Sequence, residues 1–138
     1  MASNIVNLTE TFGVEADSTK VLQQSPEAKH PSKATEGSAA YNLFPLAQEI
    51  IPPHSRRLIS TGLSIKIHPS CYGQISSQTG LPSKHLLDNT AGVIDSDYRG
   101  VLKIILQNHS NHPFTVTPEQ TIAHILFLPL CPLPVQET

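Results

Sequence analysis

Apolar and polar residues alternate in short runs from residue 39 onward, and turn-forming residues break the runs at close intervals. Leu63, Ile65 and Ile67 alternate with Ser64, Lys66 and His68, which places the three aliphatics on one face of a strand. Residues 101–107 repeat the pattern with Leu102, Ile104 and Leu106. In residues 121–128 the two faces differ less. Ile122, His124, Leu126 and Leu128 alternate with Thr121, Ala123, Ile125 and Phe127, so both faces are mostly apolar and a strand covered on both sides is expected. The breaks carry Pro and Gly: Pro52-Pro53-His54, Thr61-Gly62, His68-Pro69-Ser70, Gly80-Leu81-Pro82, Arg99-Gly100 and His112-Pro113. The pattern predicts an all-β sandwich or barrel.

Residues 1–38 read differently. They are rich in Ser, Thr, Gln, Glu, Lys and Ala, with one aromatic, Phe12, and no sustained apolar period. Such a segment buries too little surface to offset its ordering entropy. A flexible arm is expected over 1–38, with a transient helix over 14–24. A single domain at 39–130 follows, then a short Pro-rich tail at 131–138.

Charge follows the same division. Residues 1–38 hold three basic and five acidic side chains, and the remaining hundred hold six of each, so the formal charge of −2 sits in the arm. No basic stripe exists to neutralise a polyanionic backbone, so nucleic acid is not an expected partner. Cys71 and Cys131 belong to no CxxC or Cys/His cluster and are expected as reduced thiols. The start, MASNIVNLTETFG, lacks a basic region followed by an apolar one, so no signal peptide is expected. The most apolar stretch, 125–135, is too short to span a bilayer and contains three prolines, so no membrane association is expected. These features predict a soluble intracellular protein, cytoplasmic or nuclear. A hundred residues of short strands make a small core, and a strand apolar on both faces needs cover; both point to oligomerisation.

Several chemical signatures are absent: no phosphate-binding GxxxxGK[ST], no GxGxxG, no GxSxG and no HExxH. The seven histidines are scattered, without metal-ligand spacing. What remains is Asp95-Ser96-Asp97-Tyr98-Arg99-Gly100, set between Val93-Ile94 and the strand at 101–107. Asp, Ser and Gly favour a plain polar turn for local backbone reasons. The same residues also suit an acid and an aromatic held on a stiff hairpin at the edge of a pocket.

The order of motifs resembles the trimeric dUTPases. Ala40-Tyr41-Asn42-Leu43 looks like the first family motif, Gly-Tyr-Asp-Leu. Ile51-Pro52-Pro53-His54 and the run from Ile59 through Ile65 resemble the next two strands. Gly73 through Leu81 occupies the second motif, whose core is usually Arg-Ser-Gly, and Lys84-His85 follows at the expected offset. Ala91 through Gly100 is a near-complete third motif and the most specific of the set. Asn108 and Ile122-Ala123-His124-Ile125 are similar to the fourth, which reads Ile-Ala-Gln. The likeness covers residues 39–130.

The resemblance implies a dUTPase-like β-barrel of jelly-roll type, assembled as a homotrimer. It implies a diphosphatase converting dUTP and water to dUMP and diphosphate. Asp95 would act as general base on the attacking water. Tyr98 would pack beneath the deoxyribose and exclude a 2′-hydroxyl. Asn89, Val93 and Ile94 would form the uracil pocket, with Lys103 as a further nucleotide contact. Gln78, Thr79 and Gly80 would face the phosphates. Mg2+ would bridge the triphosphate, with no direct protein ligand and Asn42 reaching it only through water.

The departures from the family pattern lie on the phosphate side. Gln78 replaces the second-motif Arg and removes a charge-assisted contact. Asn42 replaces an Asp, Pro118-Glu119-Gln120 replaces Gly-Asp-Arg, and His124 replaces Gln. No glycine follows Gly100, so the Gly-rich fifth motif that closes the family's site is expected to be missing. A second function is therefore implied beside hydrolysis: a weakened or inactive dUTPase-fold protein serving as a nucleotide-binding or protein-interaction module.

Overall fold

The computed structural model describes residues 5–7, 19–77, 87–89 and 92–138. Among them are twelve strands and no helix. The strands are β1 (Ile5–Asn7), β2 (Lys20–Gln23), β3 (Tyr41–Leu43), β4 (Glu49–Ile51), β5 (Arg56–Ser60) and β6 (Leu63–Lys66). They continue with β7 (Cys71–Ser77), β8 (Leu87–Asn89), β9 (Gly92–Ile94), β10 (Lys103–Asn108), β11 (Phe114–Val116) and β12 (Ala123–Pro129). They form four sheets, with strand orders β1-β2-β6, β5-β10-β8, β11-β4 and β3-β12-β7-β9. Every pairing is antiparallel. The expected all-β class is what the chain adopts.

Alternation decides which side chains enter the core. Leu63, Ile65 and Ile67 are buried, as are Leu102, Ile104 and Leu106, and the two sets belong to one apolar cluster with Leu43, Ile51, Ile59 and Ile125. On β12, Ala123 and Ile125 point inward and are fully buried. The opposite face, His124, Leu126 and Leu128, is only half-buried. The expectation of a strand covered on both sides is therefore met on one side within a single chain.

The flexible arm expected over residues 1–38 is not what the structure shows at Ile5–Asn7, which is strand β1 paired with β2, or over residues 20–38. Lys20–Gln23 is strand β2, paired along its length with β6. Val21 and Ala28 sit in the core cluster, and Ser32 forms a bridge with Asn42. The expected helix over 14–24 is likewise replaced by strand at 20–23, and residues 14–18 lie outside those described. The reason is tertiary. β2 carries a single core aliphatic, too little for a visible period, and pairing with the strongly apolar β6 supplies the rest.

The corner between β5 and β6 ties this region to the candidate site. Gly62 has φ +70°, and an added Cβ there would stand 2.9 Å from both Ala28 Cβ and Leu46 Cδ1. Only glycine accepts that backbone against those neighbours at no cost. Beside it, buried Thr61 donates through N–H at 3.0 Å and through Oγ1 at 2.7 Å to the Leu102 carbonyl. The Leu102 N–H in turn donates to the Leu63 carbonyl at 2.7 Å. The residue that ends the Asp95 hairpin is thus clamped to the barrel by three hydrogen bonds.

Asn108, at the far end of β10, is fully buried. Its Nδ2 donates to the carbonyls of Ile51 at 3.0 Å and His112 at 2.7 Å. Its Oδ1 accepts from Ser110 N at 2.9 Å and Ser110 Oγ at 2.7 Å. A buried amide with this many partners replaces a turn that the backbone alone would leave unsatisfied. No helix among the described residues is long and apolar enough to cross a membrane.

Candidate functional site

The hairpin after β9 is fixed at both ends. β9 pairs with β7, Gly73 opposite Ile94 and Ile75 opposite Gly92, and Leu102 is held as described. Between them the chain turns tightly: Tyr98 N–H donates to the Asp95 carbonyl at 3.1 Å. Arg99 Nη1 donates to the carbonyls of Ser96 at 2.6 Å and Tyr98 at 3.2 Å. The Arg99 side chain thereby supports the turn from which it springs.

Tyr98 folds back across this turn. Its hydroxyl donates to the Val101 carbonyl at 2.9 Å. Its ring lies over Gly100 so closely that an added Cβ there would come within 2.5 Å of the hydroxyl and 2.7 Å of ring carbon Cζ. Gly100 is needed for the space it leaves. The ring remains 43% exposed, and Val93 beside it is 64% exposed. Two apolar surfaces left open on a stiff hairpin suit a flat ligand more than a solvated turn.

Val93, Ile94, Asp95, Tyr98, Leu102 and Lys103 surround one cavity of about 220 Å³. The Asp95 side chain is exposed and has no hydrogen-bond or ion-pair partner among the described residues. Lys103, exposed at the start of β10 opposite Ser60, faces the same cavity without pairing to it. A free carboxylate, a free ammonium and an aromatic face therefore meet at one concavity. Such a set can hold a water against a ligand and accept its proton.

Of the residues expected from the sequence, this cavity unites Val93, Ile94, Asp95, Tyr98 and Lys103. Asn89 closes β8, with its backbone opposite Leu106. Gln78, Thr79 and Gly80 lie outside the described residues, as do Lys84 and His85. Asn42 is elsewhere: its N–H donates to the Ser32 carbonyl at 2.6 Å, and it pairs with His124, which pairs in turn with Ser76. The first, fourth and second motif segments thus form one row across β3, β12 and β7. From Asp95, beyond the far end of β9, the row begins about 14 Å away at Ser76 and ends about 20 Å away at Asn42, at ~3.3 Å per residue and ~4.8 Å per strand.

Leu102, which lines the cavity, and the Val101 carbonyl, which holds the Tyr98 hydroxyl, were missed by sequence reasoning. Their signal was faint: a Thr-Gly pair between two apolar strands, marking a corner where another strand's backbone docks. No group of three or more His, Cys, Asp or Glu side chains gathers as a metal cage among the described residues.

A family model described as dUTPase matches residues 26–138. The chain is 43% identical over 104 residues to the deoxyuridine 5′-triphosphate nucleotidohydrolase of avian adenovirus 8, a match covering 75% of this chain and 64% of the relative. It is 38% identical over 109 residues to the enzyme of that name from Candida albicans, covering 79% of this chain and 69% of the relative. It thus spans less than two thirds of the adenoviral relative. Among solved structures, a mutant dUTPase from phage phi11 of S. aureus, described as coordinating a structural Mg(II) ion, superposes with TM-score 0.81 at 18% identity, covering 87% of this chain and 95% of that one. A Staphylococcus bacteriophage 80alpha dUTPase with dUpNHpp superposes with TM-score 0.83 at 19% identity, covering 89% of each chain.

Proposed function

The chain belongs to the dUTPase family, and we propose that it hydrolyses dUTP to dUMP and diphosphate. One observation carries this reading: an unpaired Asp95 carboxylate, an exposed Val93 and a locked Tyr98 ring share a single cavity. Uracil would lie against Val93 and Ile94, next to the backbone that Asn89 leads into. The deoxyribose would rest on the Tyr98 ring, held by the Val101 carbonyl so that a 2′-hydroxyl has no room. Asp95 would take a proton from water as its oxygen attacks the α-phosphorus and diphosphate leaves. Lys103 would offset charge at the cavity mouth, and Gln78, Thr79 and Gly80 would contact the phosphates.

Mg2+ fits this site as an ion held through the triphosphate and water, with Asn42 as a neutral, water-mediated contact. Such an ion neutralises phosphate charge and favours in-line geometry. The amide oxygen of Asn42 is a hard oxygen donor of the kind such a hydrated ion would accept.

The Asp95 cavity and the Asn42–His124–Ser76 row stand far apart on one chain. We propose a homotrimer in which neighbouring copies bring them together. The half-buried outer face of β12 and the exposed Leu133 and Val135 support this assembly. The free thiols of Cys71 and Cys131 fit a reducing cytoplasmic or nuclear compartment.

The uncharged Asn42 and Gln78, where the family has Asp and Arg, favour a second reading: nucleotide binding with slow or absent turnover. One assay separates the two. The full chain with dUTP and Mg2+ should release dUMP and diphosphate well above an Asp95→Ala control. Binding of dUMP without turnover would support the second reading, and neither binding nor turnover would overturn both.

A further inference from the structure

A second cavity, about 410 Å³, lies on the outer face of the β2–β6 pair and is bounded by Arg99. It is larger than the Asp95 cavity and has no role in the proposed hydrolysis. Three cationic side chains line it: Lys20 from β2, Lys66 from β6 and Arg99 from the hairpin. The chain has nine Lys and Arg residues and a net charge of −2, so a third of its cations meet here against the overall sign. No carboxylate is among the described lining residues.

The pairing makes this arrangement costly in isolation. Lys20 and Lys66 stand directly opposite each other in the antiparallel register. Sheets gain from opposite charges at such positions and lose from like ones. Arg99 is also pre-set. Nη1 is held by two carbonyls, while Nε and Nη2 have no partner among the described residues. Among the lining residues, Gln24 Nε2 donates to Ser64 Oγ at 2.9 Å, and Leu22 is apolar.

We infer that this groove is a binding site for a phosphate-class oxyanion. A tetrahedral oxyanion at the mouth of the groove would resolve the Lys20–Lys66 repulsion, with the Arg99 guanidinium as a fork and the two ammonium groups as point charges to receive it. The size of the groove admits a small phosphorylated molecule as well as the free ion. Because Arg99 is adjacent to Tyr98 and Gly100, occupancy bears on the hairpin that carries Asp95. The inference stands on the groove alone and does not depend on dUTP hydrolysis.

The test is an NMR titration of the full, isotope-labelled chain with inorganic phosphate, ionic strength being held constant with chloride. Saturable amide shifts are expected at residues 20–24, 64–66 and 99, and Lys66→Gln should weaken the affinity about tenfold. Lys66→Glu gives the sharper result: it makes an opposite-charge pair with Lys20, so the thermal midpoint should rise while saturation at these amides disappears. Titrations with diphosphate and with dUMP distinguish the source. Saturation by diphosphate indicates a site for free oxyanions, and saturation only by dUMP indicates a nucleotide-borne phosphate. Shifts that never saturate, that fall only on residues 92–103, or that persist in Lys66→Glu would overturn the inference.

Discussion

Two parts of the molecule carry the motif segments, and they are built in different ways. The Asp95 hairpin is a closed local device. Arg99 and Tyr98 bond back to backbone within three residues of themselves, and Thr61 and Leu63 clamp its end. The row of Asn42, His124 and Ser76 is assembled from three distant stretches of chain, joined only by strand pairing. A local device keeps its shape only if nearly every residue is kept, because each bond depends on its neighbour. A row held by backbone pairing tolerates side-chain exchange, because the ladder does not read side chains. The third motif of the sequence falls on the first kind of structure, and the first and fourth on the second. Under the proposed function the two halves would supply different things: nucleoside shape from one, phosphate contacts from the other.

The largest effect that tests this division is chemical. Asp95→Asn keeps the shape of the hairpin and removes the base, so turnover of dUTP should fall by about a thousandfold while dUMP binding is unchanged. Loss of dUMP binding in that variant would show that Asp95 shapes the pocket and is not confined to catalysis.

Asn108→Ala is the next largest and should not distinguish the two halves. It leaves the Ile51 and His112 carbonyls and the Ser110 donors without their amide, at a cost of about 3 kcal/mol. Chemical denaturation should show that loss, with dUMP affinity of the folded fraction intact. A selective loss of binding would mean that the β10 end reaches the site directly.

Gly100→Ala is subtler. The new methyl group would displace the Tyr98 ring, and the preference for dUMP over UMP should fall about tenfold, or ~1.4 kcal/mol, with little change in thermal midpoint. Unchanged preference would remove Gly100 from the positioning of Tyr98. Asn42→Asp is the smallest. Restoring a carboxylate to the row should raise Mg2+-dependent turnover severalfold and leave dUMP affinity untouched. An effect on dUMP affinity instead would join the two halves that the structure separates.

Much of this was legible in the sequence, for reasons that show where legibility ends. The alternation of Leu63, Ile65 and Ile67 is a period-two signal that burial confirms. The hairpin from Gly92 to Gly100 is legible because its stabilising contacts are local. Strand β2 was not legible: Val21 is its one fully buried side chain, and its pairing with β6 spans some forty residues of chain. The same holds for the corner at Thr61 and Gly62, whose partner Leu102 is |i−j| = 41 away from Thr61. Short-range chemistry could be read directly, whereas contacts between distant stretches needed the fold.

Under the proposed function the hairpin reads deoxyuridine, and its affinities for two nucleotides decide whether it does. The dissociation constants of dUMP and UMP are measured for the full chain and for Tyr98→Ala. dUMP should bind at least about tenfold more tightly than UMP, as one displaced contact of ~1.4 kcal/mol requires, and the difference should vanish in the variant. Equal binding of the two nucleotides by the unaltered chain would contradict that reading.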